Sequence, residues 1–421
     1  MRILWFVNTP SNYRGGKSLP YNGGGWISSL ENELRKVAGI RLGVAFTMAG
    51  AGGKVEDGQV TYYPIDIKEY SILALTRRTF GLPFRASIEK REWRRDEAVY
   101  MKVVDDFKPD VIEVFGSEKS FGLIASKVNV PLVLHIQGLL TPYLMAYLPP
   151  FMSWGRYYWT PFNFYQALRK LAIYADFQFG VAREQEIARR VRYFIGRTDW
   201  DRRVVSLLNP QAEYIYGSEV LRSEFYKPCE RKLPERCVIV TTMSKPPYKG
   251  FDILLKTAAW LRRTGMDFEW RVYGNVQPAF AEKLSHIKHK DVNVRLMGVA
   301  TSGQLREAFL TASMYVHPSY IDNSPNSLCE AQISACPVVA TDVGGVSSLV
   351  RHGVTGFLVP ANDPFQMAYF LRLLFEDKEL NQRIGKQARE EALRRHDPQS
   401  IVSKLLKDYE IIIKNRGTAE G

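Results

Sequence analysis

The sequence is poor in cysteine: four in 421 residues, at 229, 237, 329 and 336, with no CxxC pair among them. Spacings of 8 and 7 residues suit neither a zinc ribbon nor a disulfide framework, so a reducing compartment is expected. It also lacks a long apolar run. The first such run, Ile3–Val7, is only five residues, too short for a signal-peptide core. Nowhere does an uncharged apolar stretch approach the roughly 18 residues that span a bilayer. The expectation is a cytoplasmic protein, with peripheral attachment to the inner face of the cell membrane as the alternative. Missing too is the GxGxxG dinucleotide fingerprint. The one Asp-x-Asp, Asp199-Trp-Asp201, falls in a helical, arginine-rich stretch rather than in a strand-end loop, so no metal site and no cofactor are expected.

What is present is a 46% hydrophobic, 24% charged chain with 31 glycines and 22 prolines, the composition of a folded globular protein. Its length exceeds what one core serves, which predicts two domains. The net charge of +13 is compatible with phosphorylated substrates, an anionic membrane surface or nucleic acid. Acids are interspersed among the bases, which argues against a nucleic-acid binder.

Short apolar runs alternate with helical patterns. Ile3–Val7, Arg41–Phe46, Val60–Ile65, Val111–Phe115, Leu132–Ile136 and Phe177–Val181 read as strands, several apolar on both faces as buried parallel strands must be. After a polar stretch with two prolines the pattern restarts: Cys237–Thr241, Trp270–Tyr273, Val292–Met297, Met314–His317, Val338–Ala340 and Phe357–Val359. This predicts an α/β protein of two Rossmann-like, doubly wound parallel-sheet domains, 1–217 and 237–395, with a linker at 218–236 and a final helix in 396–421 able to pack back. Ligands then belong in the cleft facing the carboxyl ends of both sets of strands.

The segment Tyr320-Ile-Asp-Asn-Ser-Pro-Asn-Ser-Leu-Cys-Glu330 reads strand, loop, helix. Ser324 is a good N-cap residue and Pro325 suits the first helical position. The Asn326 and Ser327 N–H groups then sit at the positive end of a helix, a ready anion site. Asp322 and Glu330 lie close by, suited to accept hydrogen bonds from sugar or ribose hydroxyls. Directly after the first strand of the second half comes Ser244-Lys-Pro-Pro-Tyr-Lys-Gly-Phe-Asp252. Lys249 and Lys245 are candidates to stabilise the charge on a departing pyrophosphate.

These residues resemble the retaining glycosyltransferases of family 4. Asp322 stands at the first Glu of the family's E-x7-E signature and Glu330 at the second. Pro337-Val-Val-Ala-Thr-Asp-Val-Gly-Gly345 and Gly353-Val-Thr-Gly-Phe-Leu-Val-Pro360 extend the match to about 40 residues. The resemblance implies the two-domain GT-B fold and a retaining, metal-independent transfer. The donor would be a UDP- or GDP-linked sugar. The acceptor would be a saccharide or polyprenyl-linked saccharide of capsule, O-antigen or exopolysaccharide. It implies that Glu330 binds the ribose, that Asp322 contacts donor-sugar hydroxyls, and that Lys249 takes the family lysine's place, with Lys245 standing approximately for its arginine. Gly24 and Gly25, in Tyr21-Asn-Gly-Gly-Gly-Trp26, correspond to the family loop beside the donor phosphates.

In Pro131-Leu-Val-Leu-His-Ile-Gln-Gly138, Gln137 occupies the place of the family histidine and His135 lies two residues earlier on the same strand face. Either could line the cleft. His317 reads as core or cleft wall. Residues 143–165 hold ten aromatics and a single charge, Arg156, next to a basic helix over Thr76–Lys102, a combination that suits a membrane interface or an aromatic core. Ile195-Gly-Arg-Thr-Asp-Trp-Asp201 is a candidate loop of the acceptor cleft. A sugar-nucleotide epimerase is the alternative enzyme on the same fold.

Overall fold

The computed structural model describes residues 1–14, 25–50, 52–66, 85–159 and 164–417. The first domain is an eight-stranded sheet, β1 (Arg2–Phe6), β2 (Arg41–Thr47), β3 (Val55–Asp57), β4 (Val60–Ile65), β5 (Val111–Phe115), β6 (Leu132–His135), β7 (Tyr193–Gly196) and β8 (Glu213–Tyr216), in the order β3-β4-β2-β1-β5-β6-β7-β8. All pairings are parallel except the β3–β4 edge. The second is a six-stranded, all-parallel sheet in the order β11-β10-β9-β12-β13-β14. Its strands are β9 (Cys237–Thr242), β10 (Phe268–Tyr273), β11 (Val294–Gly298), β12 (Met314–His317), β13 (Val338–Thr341) and β14 (Phe357–Val359). In each sheet the order reverses beside the first strand, the switch point where α/β folds bind ligands.

β5, β9 and β12 are buried along almost their whole length because helices cover both sheet faces. Two apolar cores flank each sheet, one on either side. The helices that position the site are α1 (Gly25–Leu34), α2 (Arg85–Phe107), α3 (Phe164–Arg190), α4 (Asp199–Leu208), α5 (Phe251–Arg263), α6 (Ser302–Leu310), α7 (Asn326–Ile333), α8 (Lys378–Arg395) and α9 (Pro398–Gly417).

Three expectations need correction. Phe177–Val181 is not a strand but the middle of the 27-residue helix α3. Its apolar alternation mimics period two, yet Ala172, Ala175 and Phe179 are buried at helical spacing, and helix formers surround the run. Gly180 has a packing reason: a Cβ there would lie 3.0 Å from Leu140 Cδ1. The strand that pairs with β6 is instead Tyr193–Gly196, followed by Glu213–Tyr216. Finally, Ser324 does not cap α7. Pro325 holds the N-cap position, and the Ser324 hydroxyl donates to Glu219 Oε1 at 2.9 Å.

The segment after β8 is more than a spacer, since Leu221 and Phe225 are buried in the core of the second domain. The last helix crosses back. Val402, Leu405, Tyr409 and Ile412 of α9 pack into the first domain against α1 and β1, and Tyr409 OH donates to buried Glu113. Much of the aromatic segment folds on itself. Tyr147 stacks on Trp154 at 5.3 Å, Trp154 meets Tyr174 at 4.4 Å, and Tyr157 reaches Phe280 of the second domain at 5.1 Å. Met145 and Phe151 stay outside it, 86% and 95% exposed. Phe162 and part of the basic stretch Thr76–Lys102 lie outside the described residues. Among those described, no helix is long and apolar enough to cross a membrane.

Candidate active site in the interdomain cleft

The loop after β12 carries Asp322 to the carboxyl edge of the second sheet, where four donors converge on its side chain. Lys249 Nζ donates to Oδ2 at 2.6 Å and His317 Nε2 approaches the same oxygen at 3.0 Å. Tyr143 OH, from the first domain, donates to Oδ1 at 3.2 Å, and the Asn323 N–H reaches that oxygen at 3.1 Å. Burial alone would raise this carboxyl, but the Lys249 ammonium and His317 outweigh it and hold Asp322 well below the usual carboxylate range. Burial pushes the Tyr143 phenol far up, which keeps it protonated as a donor.

Local sequence sets this geometry. Lys249 closes a one-turn 3₁₀ element, Pro247–Lys249, that ends at Gly250 in a left-handed conformation, φ +75°. A Cβ there would strike the Pro318 carbonyl oxygen at 1.9 Å, so only glycine lets the lysine loop close on the Asp322 loop. Gly344 does the same from the other side, with φ +53° and the Asp322 carbonyl oxygen 2.0 Å from where its Cβ would be. The neighbouring Gly345 N–H then donates to that carbonyl at 3.0 Å.

At the tip of α7, the Asn326 and Ser327 N–H groups have no backbone partner among the described residues. Ser327 Oγ is tied to Tyr315 OH at 2.9 Å, and Tyr315 in turn meets Thr242 Oγ1 at 3.0 Å. The Asn326 side-chain oxygen is buried with no partner among the described residues. Lys245 is exposed on the loop after β9.

Glu330 lies apart from the Asp322 cluster. It is 3% exposed and clasped by Arg222, whose Nε and Nη2 reach its two oxygens at 2.7 Å each. Burial raises this carboxyl and the guanidinium fork offsets the rise only in part. Each oxygen keeps a second lone pair with which to accept a hydroxyl.

On the first domain, Trp26 Nε1 donates to Gln137 Oε1 at 3.2 Å, while His135 is 2% exposed and turns Nδ1 to Glu113 Oε1 at 2.8 Å. Both residues therefore flank Trp26, but His135 belongs to the buried layer beneath it. Gly25 opens α1 at φ +61° with nothing within 4 Å of its absent Cβ. Gly24 lies outside the described residues. The Gly196–Asp201 segment faces the second domain. Thr198 and Asp201 form a capping box on α4, and both also bond Asn323 across the cleft. Of the Asp199-Trp-Asp201 carboxylates, Asp201 serves the helix start and Asp199 accepts from Tyr216 OH.

Sequence reasoning missed Tyr143, Arg222 and Glu118 as parts of the site, and read His317 only as core or cleft wall. Glu118 accepts from Asn8 Nδ2 at 3.0 Å, beside Gly116 and Gln137, and burial raises its carboxyl. No motif marks them, because each is brought in by a different element. One further cluster, Glu219, Cys329 and His396, has metal-ligand residue types within 4.8 Å of one another. Its donors are already committed. His396 Nδ1 bonds the Glu219 carbonyl at 2.9 Å, Arg395 Nε donates to His396 Nε2 at 3.0 Å, and Arg197 faces the Glu219 carboxylate at 3.7 Å.

Residues 227–391 match the family model described as glycosyl transferases group 1. The match spans the second sheet and its helices. It holds Lys249, Asp322 and Glu330. Curated relatives include the D-inositol 3-phosphate glycosyltransferases of Streptomyces avermitilis and Paenarthrobacter aurescens. The first is 40% identical over 153 residues, 34% of this chain and 33% of that protein. The second is 31% identical over 148 residues, 33% and 36% respectively. The chain thus spans about a third of the length of these relatives.

Across the whole chain the fold is GT-B. Sucrose-phosphate synthase from Thermosynechococcus elongatus superposes with a TM-score of 0.72 at 14% identity, over 98% of this chain and 99% of that one. HepE from Anabaena, solved with UDP-glucose, gives 0.60 at 15%, over 97% and 99%. WaaG, a glycosyltransferase involved in lipopolysaccharide biosynthesis, gives 0.60 at 14%, over 97% and 99%. The two domains face each other across the cleft that Tyr143 and Asp322 bridge.

Proposed function

We propose that this protein is a retaining, metal-independent glycosyltransferase. It moves a sugar from a nucleotide-diphosphate sugar to a saccharide or lipid-linked saccharide acceptor in bacterial surface-polysaccharide synthesis. The observation that carries the reading is Lys249 beside Asp322, at the mouth of the α7 tip, in a domain that matches the group 1 family. When the bond from the sugar's anomeric carbon to the β-phosphate oxygen breaks, charge grows on the pyrophosphate. The Lys249 ammonium and the helix-tip N–H groups are fixed where they stabilise it. Asp322, kept ionised, accepts donor-sugar hydroxyls, and Glu330 accepts the ribose through its remaining lone pairs. The acceptor oxygen forms the new bond on the face the phosphate leaves. Its proton passes to the leaving phosphate oxygen, and attack from the face that oxygen leaves makes the course retaining.

UDP is the favoured nucleotide because the HepE neighbour was solved with UDP-glucose. The exposed Met145 and Phe151 support a lipid-linked acceptor at a membrane surface, on the cytoplasmic side where nucleotide sugars are made. The test is a thermal-shift screen of UDP, GDP and their sugars, followed by turnover with and without EDTA. A ligand at about 100 times its Kd adds about 2.7 kcal/mol to stability. A shift with one diphosphate family and EDTA-insensitive turnover are expected. No shift with any nucleotide, or turnover abolished by EDTA, overturns the proposal.

A further inference from the structure

The helix after β14, Pro364–Glu376, turns Met367, Ala368, Leu371 and Leu374 into the core of the second domain. Its outer face carries Phe365 and Tyr369, one turn apart and 60% and 61% exposed. A single exposed aromatic needs no explanation, but these two belong to a continuous surface. Phe365 packs on the half-buried Trp260 of α5 with ring centres 4.5 Å apart, and the exposed Arg263 guanidinium lies 4.7 Å over the same indole. Arg263 in turn lines a groove of about 500 Å³ together with Arg262, His286 and Lys288, with apolar lining from Ala259, Ile287 and Val292.

The charge along this groove is not neutralised. Its lining holds three permanent cations, Arg262, Arg263 and Lys288, against one acid, Asp291, and the exposed Lys290 lies just beyond. Arg262 donates to the main-chain carbonyl of Asp291, and Arg263 meets the Trp260 ring. Among the described residues neither they nor Lys288 form an ion pair. The acids nearby are engaged elsewhere: Asp363 caps its helix, Glu376 pairs with Arg372 and Glu282 with His289.

Exposed Phe, Tyr and Trp rings bordered by unpaired Arg and Lys match the interface of an anionic bilayer. The rings settle at headgroup level and the cations meet lipid phosphates. An apolar protein face would instead bury the excess cations without partners, at a cost that hydrated anionic headgroups do not impose.

We propose that this surface of the second domain, Phe365 and Tyr369 with the Arg262, Arg263 and Lys288 groove, is a docking face for an anionic phospholipid bilayer. It is built on other elements than Met145 and Phe151 of the first domain, and it does not depend on the acceptor being lipid-linked.

Co-sedimentation of the full chain with vesicles tests this, using phosphatidylcholine alone and phosphatidylcholine mixed with phosphatidylglycerol. The double variants are Phe365→Ser/Tyr369→Ser, Arg263→Glu/Lys288→Glu and, for the first domain, Met145→Ser/Phe151→Ser. Every substituted side chain is exposed, so circular-dichroism melts should match the wild type's. Expected is binding to the mixed vesicles that weakens with added salt, little binding to phosphatidylcholine alone, and affinity about tenfold or more weaker in each second-domain variant. Equal binding to both vesicle types, undiminished binding in either second-domain variant, or a loss confined to Met145→Ser/Phe151→Ser overturns it. So does tighter binding of single-stranded polyuridylate than of the mixed vesicles, which would make the partner a nucleic acid.

Discussion

Asn323, the residue after Asp322, sets its side-chain amide between Thr198 and Asp201 of the opposite domain. It accepts from Thr198 Oγ1 at 2.7 Å and donates to Asp201 Oδ2 at 3.0 Å, with all three residues fully buried. Asn323→Ala strands the Thr198 hydroxyl proton, while Asp201 Oδ2 keeps the Arg197 N–H at 3.1 Å. At about 1–3 kcal/mol for a stranded buried group, urea unfolding should lose about that much. Turnover should fall further than nucleotide affinity, because the Asp322 loop loses its cross-domain anchor. Wild-type stability would show that the bridge is dispensable.

Removing the cation of the Lys249–Asp322 pair tests the donor site. A charge-assisted hydrogen bond contributes about 1.5–3 kcal/mol. Nucleotide-diphosphate affinity of Lys249→Met should therefore drop roughly 10- to 100-fold in a titration. Unchanged affinity would remove this lysine from the site.

Glu330 is a stability residue as well as a candidate ribose ligand, because its buried carboxylate holds both arms of the Arg222 guanidinium. Glu330→Ala should destabilise by about 3–5 kcal/mol in denaturant unfolding, and the double variant Arg222→Leu/Glu330→Leu should recover much of that loss. Turnover should remain absent in both. A stable single variant with wild-type turnover contradicts both roles.

Gly344→Ala must give up either its left-handed backbone or the 2.0 Å approach to the Asp322 carbonyl. Strain of this kind costs on the order of 1–3 kcal/mol. The adjustment should displace Asp322, so activity is expected to fall even where the protein still folds. A crystal structure of the variant with Asp322 unmoved and normal turnover would count against this.

Acid should weaken the protein through His396 before it reaches the carboxylates. Burial holds the His396 imidazole down at about 4 against an ordinary 6.5. With the folded value depressed, the unfolded chain takes up the proton first. Stability is therefore complete above 6.5 and falls as the pH drops toward 4, by on the order of 3 kcal/mol. Glu219 is buried, which alone would raise it, but Arg197 and His396 bring it to about 2, so its loss begins only below about 4.5. Urea melts between pH 7 and 5 isolate the histidine, and His396→Gln should flatten that slope. A slope equal to the wild type's would exclude His396 as its source.

Much of this protein is legible along the chain. Mostly apolar, β-branched runs such as Val111–Phe115, interrupted only by Glu113, and Cys237–Thr241 mark strands buried on both faces. The Lys-Gly and Gly-Gly pairs at 249–250 and 344–345 mark places where backbones nearly touch. Phe177–Val181 misled because five residues fit either period. Its identity as helix is decided by 27 residues of context.

The sequence by itself determined the two α/β domains, the helix tip at Asn326 and the loop that brings Lys249 near it, since period, proline and glycine act locally. Only the tertiary structure decided that Tyr143 and His317 complete Asp322 and that Arg222 clasps Glu330. Those pairings join residues as much as 179 positions apart. Burial and charge select them, and neither leaves a periodic mark in the chain.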